Sequence, residues 1–215
     1  MINIHKNTAI ALVLLFAVAI TSCKKDEYLE DGGLSETSTP LSTYDYLKSN
    51  TQFDTTLLLI DHFNLKDSLN KAATVFAFTD YAVSKFMKDL GYATLQDMYD
   101  SVSSKMLTQY MFGEAITLDN TTEQGAPFND WAGAVAPAAV SKALRTEYIY
   151  LTNSAPAFDY YTLTYIKVNG VLDGSSGAPP ADLVDVKIAC QSSGIKTSTG
   201  TVLHILANNA PLNKL

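Results

Sequence analysis

Helix-forming and strand-forming patterns occupy opposite ends of this chain, and that order restricts its fold more than any other feature. Over residues 55–64, Leu57, Leu58, Ile60 and Phe63 leave one helical stripe behind a capping Asp54, with His62 off the stripe and partly exposed. Ser42 is placed to cap a helix over 43–50 with Tyr46 and Leu47 inward. Further helices are expected over 81–90, closed by Gly91; from the capping pair Thr94 and Asp97; and over 103–112, with Met106, Leu107 and Tyr110 inward. β-Branched and aromatic residues mark strands at 74–78, 114–118, 147–152, 161–168, 183–189 and 201–206, and Asn169-Gly170 and Asp173-Gly174 supply turn chemistry. Helices early and strands late predict a segregated α+β domain instead of alternating βαβ units.

At 215 residues, 47% hydrophobic and 17% charged, the chain has room for one domain whose core needs neither disulfides nor a structural metal. A formal charge of -7 without a basic stripe excludes nucleic acid as partner. The only cysteines are Cys23 and Cys190, and Cys190 reads as a small buried residue at a strand end. Beyond the first 22 residues the histidines are His62 and His204, too few to build a typical zinc site. Neither sits in a catalytic motif, and no nucleophile elbow, phosphate-binding glycine loop or calcium loop is present. Asp182 and Asp185 fall on opposite faces of one strand, while Asp159 and Asp173 are assigned to turns, which disfavours a metal pair or glycosidase dyad. The expectation is a non-enzymatic protein with no catalytic residue, metal or cofactor.

The N-terminus is an address. Residues 1–22 carry Lys6, then an apolar run over 9–20 that is too short to span roughly 30 Å of hydrocarbon. Ile20-Thr21-Ser22-Cys23 resembles a bacterial lipobox, which implies cleavage before Cys23, its acylation, and a formal charge moved from -7 to -8 by loss of Lys6. Acyl chains contribute about 0.8 kcal/mol per buried methylene, so several hold a protein stably. Residues 23–40 read as a flexible tether, and Lys25-Asp26-Glu27 resembles a surface-export signal of outer-membrane lipoproteins. The expected location is the outer membrane, lipid-anchored and at the cell surface, with the periplasmic face as alternative.

Two separated strings carry a family resemblance. Thr74-Val75-Phe76-Ala77-Phe78-Thr79-Asp80-Tyr81-Ala82 resembles the first signature of the fasciclin domain, and Gly200-Thr201-Val202-Leu203-His204-Ile205-Leu206 with Pro211-Leu212 resembles the second. Asp45-Tyr46-Leu47 and Val168-Asn169-Gly170 also look like their counterparts, so the likeness covers residues 41–215. Phe78 stands where the family has proline, and Ala207 where it has aspartate. Tyr110-Met111 occupies the place of the family's Tyr-His pair, so integrin recognition is not implied. The resemblance implies a β-sandwich or wedge of about seven strands with helices packed on it. It also implies adhesion or recognition in place of chemistry, and His204 buried and hydrogen-bonded to backbone.

The stretch 119–146 reads as an inserted excursion. It contains Phe128, Asn129, Asp130 and Trp131, the only tryptophan, followed by a small-residue run over 133–139. Phe128, Asn129 and Trp131 are the candidate binding residues, suited to an extracellular protein or a polysaccharide. Tyr148, Tyr150, Tyr160, Tyr161 and Tyr165 fall on strand-like stretches that could leave an aromatic surface. The alternatives are an accessory subunit of an outer-membrane uptake or assembly complex and, further off, a secreted hydrolase using His62 or His204.

Overall fold

The computed structural model describes residues 38–133, 138–148, 157–176 and 184–212. It is a mixed α/β arrangement: one seven-stranded, nearly closed sheet with short helices along one part of the chain. The helices are α1 (Thr43–Lys48), α2 (Asp54–His62), α3 (Lys66–Lys71), α4 (Asp80–Leu90), α5 (Leu95–Ser101) and α6 (Lys105–Thr108). The strands are β1 (Thr74–Ala77), β2 (Met111–Phe112), β3 (Ala126–Phe128), β4 (Ala138–Tyr148), β5 (Ala157–Lys167), β6 (Val186–Lys196) and β7 (Val202–Leu206).

Local chemistry explains the helix ends. The Asp45 N–H donates to Ser42 Oγ at 3.1 Å, and Thr94 with Asp97 forms a reciprocal capping box that starts α5. Gly91 closes α4 at φ 76, a conformation that costs glycine little. Asp54, expected as a cap, is instead the first residue of α2; the Thr56 N–H is taken by Asp80 Oδ1 at 3.0 Å, so the first residue of α4 caps α2. The stripe also shifts: Leu59 is buried and Leu58 is 51% exposed, because a helix packing through Thr56, Ile60 and Leu59 turns position 58 outward.

The sheet order is β2-β1-β7-β6-β5-β4-β3. All neighbours are antiparallel except β1 and β7, which run parallel with Thr74 opposite Val202 and Phe76 opposite His204. Strand β6 serves both halves. Its Val186–Ala189 part pairs with β5, and Cys190 to Lys196 pair with β7 across two register shifts, with Gly194 at φ 82 between them. Such bulges bend a strand and increase its twist, which curls the sheet round its core. The outer strands approach each other through a bridge between Phe112 and Asp130, supported by the Trp131 N–H donating to Met111 O at 3.0 Å.

Several strand expectations need correction. Residues 114–118 form no strand: Thr74 Oγ1 donates to Glu114 O and accepts from the Ile116 N–H, both at 2.8 Å, so a side chain occupies the groups a ladder would use. The expected helix over 103–112 shrinks to α6, and Met111 and Phe112 turn extended to reach β1. The stretch 119–146 contributes β3 and most of β4 to the sheet. Residues 149–152 of an expected strand lie outside the described residues, as do 134–137 of the small-residue run. Strand β6 starts at Val186 and runs seven residues past Ala189, so Cys190 is internal to it. Asp159 lies in β5 and not in a turn.

The folded body also begins earlier than Leu41. Thr39 is buried, its N–H donates to Lys196 O at 2.8 Å, and the Ser198 N–H donates to Leu41 O at 2.9 Å. Beside them Thr43 Oγ1 lies 3.0 Å from Thr197 Oγ1 and 3.1 Å from Thr199 Oγ1, with those two 2.9 Å apart. The trio of hydroxyls pins the entering segment to the β6–β7 turn.

Leu47, Leu59 and Leu69 of the helices share one buried core with β1, and in that core lies Phe76. Its ring lies 4.7 Å from His204, 5.4 Å from Tyr165 and 5.7 Å from Phe112. Phe76→Ala is therefore expected to cost about 3–5 kcal/mol in urea unfolding, whereas Leu58→Ala stays within about 0.5 kcal/mol of the parent.

Candidate functional site

The seam between β2 and β3 places the sequence candidates. Phe128 ends β3 and is buried, Asn129 is exposed, Asp130 is half-buried opposite Phe112, and Trp131, in the turn that follows, is 40% exposed. Phe128, named with Asn129 and Trp131 as a binding residue, is instead a core residue at 5% exposure and leaves the outward pair to do any binding. Trp131 is held through its backbone. Its backbone N–H is bonded to Met111 O, the Asp130 Oδ1 accepts the Ala132 N–H at 2.9 Å, and a Cβ on Gly113 would lie 3.4 Å from Trp131 Nε1. Gly113, which the sequence offers only as the point where the chain leaves a helix, lies beside the ring; a tryptophan 18 positions away leaves no local signal of that contact.

Behind the outward pair the seam is polar. The Tyr165 hydroxyl donates to Gln109 O at 3.3 Å, and Lys167 Nζ donates to Gln109 Oε1 at 3.1 Å. Burial raises the Tyr165 phenol, and the Asp130 carboxylate adds to that. Tyr110 Oη and Asp130 Oδ2 are buried without a hydrogen-bond partner. Tyr110 also lines a small apolar cavity of ≈ 20 Å³ beneath the helices, about the space of one water.

Other titratable groups are committed to the fold. His204 is fully buried: the Gly194 N–H donates to Nδ1 at 3.2 Å, so the hydrogen sits on Nε2 and is donated to Ile116 O at 3.0 Å. Both ring nitrogens are occupied by backbone. His62 is exposed and stacks on Tyr99 with centroids 4.0 Å apart. The Cys190 thiol is pushed up to about 12 by burial of its sulfur, although the residue as a whole is half-exposed. That makes it a poor nucleophile. Asp185 is buried and accepts the N–H groups of Asn169 at 2.9 Å and Asp173 at 2.7 Å, while Asp173 Oδ2 accepts the Asp185 N–H at 3.2 Å. These two acids close a loop on each other, and Asp182 lies outside the described residues. Among the described residues no three His, Cys, Asp or Glu side chains converge as metal ligands would.

Of the tyrosines, Tyr165 is buried and Tyr160 and Tyr161 are 40% and 43% exposed, with Tyr161 paired across the ladder to a half-exposed Leu144. Cys23 and residues 1–37 lie outside the described residues, and no described helix is long and apolar enough to cross a membrane. No protein-family model matches the chain, and a search of curated proteins returns no match.

Burial lowers the His204 pKa from 6.5 to about 4, against the opposing effect of its bond to Ile116. Between those values the unfolded chain binds a proton that the folded chain does not, so stability is full above about pH 6.5 and falls as pH drops toward 4. The loss is expected to reach roughly 3 kcal/mol at the acid end. Urea midpoints measured across that range should show the slope, and His204→Gln should flatten it.

Proposed function

We propose that this chain is a lipid-anchored, surface-exposed, non-enzymatic protein of the fasciclin-domain type that binds an extracellular protein or polysaccharide through the seam carrying Asn129 and Trp131. The observation that carries the family reading is the parallel pairing of β1 with β7. Residues 74–77 and 202–205, which lie inside the two signature-like strings, become neighbouring strands with Phe76 against His204. The kinked β6, shared by two halves of the sheet, supports the wedge form of that fold. For the anchor, support rests on Ile20-Thr21-Ser22-Cys23 and the polar residues that follow.

Recognition in place of catalysis is supported by the state of the histidines. His204 spends both nitrogens on backbone, and His62 makes ring contacts without a hydroxyl or carboxylate partner among the described residues. A hydrolase needs a base within hydrogen-bond reach of a nucleophile. The accessory-subunit alternative draws on the exposed Leu144 and Tyr161 pair of the β4–β5 hairpin. A stable partner that co-purifies from the outer membrane and is lost on Tyr161→Ala would favour it.

Mass spectrometry of the mature protein should find Cys23 acylated at a new N-terminus, with the protein in the outer-membrane fraction and open to protease on intact cells. Cys23→Ser should shift the chain into the soluble fraction. An unmodified N-terminus in the wild type would reject the anchor.

A further inference from the structure

We propose that the outer edge of β4 pairs with the same edge of a second copy of this chain, joining two hairpins into one sheet. The pairing is independent of the recognition reading above. It starts from a hairpin that outruns its neighbours. Strands β4 and β5 stay in register over ten pairs, from Ala139–Ile166 to Tyr148–Ala157, but β3 leaves β4 at Val140 and β6 joins β5 only from Thr164 onward. Beyond Lys142, whose N–H still donates to Thr122 O at 2.9 Å, the two strands have only each other as ladder partners among the described residues. A two-stranded ribbon is marginal alone, and further strands stabilise it.

The free edge of β4 is open to pairing. Residues 143–148 hold no proline and their ladder with β5 has no register shift, so two of the devices that blunt an edge are missing. Because the Lys142 N–H points away from β5, strand alternation turns the N–H and C=O of Leu144, Thr146 and Tyr148 the same way. Leu144 and Arg145 are exposed.

Charge names the occupant. Along 143–148 the charged residues are Arg145 and Glu147, one of each sign two positions apart. In antiparallel pairing about a two-fold, centring on Arg145 sets arginine opposite arginine, and centring on Glu147 sets glutamate opposite glutamate. Centring on Thr146 sets Arg145 of each copy opposite Glu147 of the other, and unlike charges directly opposite stabilise a ladder that like charges would weaken. The same centre sets Leu144 opposite Tyr148, so outward backbone groups meet outward ones. Centres nearer the body would need the Lys142 N–H that Thr122 O already holds. The other open edge, residues 157–163 of β5, has Asp159 as its charged residue and no basic residue to meet a copy of it. Pairing β4 with β4 also closes after two copies, whereas β4 on β5 would propagate.

The full-length protein in detergent is followed by sedimentation equilibrium. A reversible monomer–dimer equilibrium is expected, and Arg145→Glu or Glu147→Arg alone should weaken it about tenfold or more, since either one turns both cross-copy pairs repulsive. The combined Arg145→Glu/Glu147→Arg variant should return to within about threefold of the parent. Amide exchange gives a second readout: Leu144 and Thr146 should slow as protein concentration rises, while Ala143 and Arg145, which face β5, stay constant. A chain that is monomeric up to about 100 µM, a dimer blind to the single swaps, or a combined variant no better than they are would overturn the pairing. Open-ended oligomers would also overturn it, as would protection of Leu144 by a different protein and not by a second copy.

Discussion

The parallel contact between β1 and β7 is the constraint on which the rest of the body depends. Parallel neighbours cannot be joined by a tight turn, so everything between residues 77 and 202 has to be accommodated by a path that leaves β1 and returns beside it. The chain meets that requirement by placing α4, α5 and α6 after β1 and then winding β2 to β6 round the core before β7 closes the gap. The pairing sets Phe76 against His204, and the buried imidazole ties the Gly194 bulge of β6 and the loop carbonyl of Ile116 to that centre. One ring thus fixes the bend in the shared strand and the path of the chain after β2. A protonated imidazole would present Nδ1–H to the Gly194 N–H, donor against donor, which is why the arrangement works with neutral histidine.

Much of this could be read from the sequence where local rules decide. The caps at Ser42, Thr94 and Gly91, the strand at 74–77 and the strand at 202–206 follow from patterns a few residues long. Where a distant group intervenes, the pattern misleads. Residues 114–118 alternate like a strand, but the hydroxyl of Thr74 captures both Glu114 O and the Ile116 N–H. Asp54 has the chemistry of a cap, yet Asp80 supplies it. Leu58 belongs to an apolar run whose inward members are chosen by what lies across from α2.

The candidate site shows the same division. That Asn129 and Trp131 are exposed agrees with their choice from the sequence as binding candidates. That Phe128 does not join them was not legible, because only the closing of the sheet decides which face turns inward. Asp130 is drawn to the inner side by its pairing with Phe112, where its carboxylate meets the field of Tyr165 instead of a ligand. The exposed tryptophan follows directly on the residue that bridges the two edges of the sheet.

Thr197 and Thr199, which receive the Thr43 hydroxyl of the entering segment, sit on the turn between β6 and β7, and β6 is the middle strand of seven, three places from either edge. In a sheet whose edges nearly meet, the middle strand lies across the body from the seam. The entering chain is therefore gripped on the far side of the sheet from the seam that carries the indole.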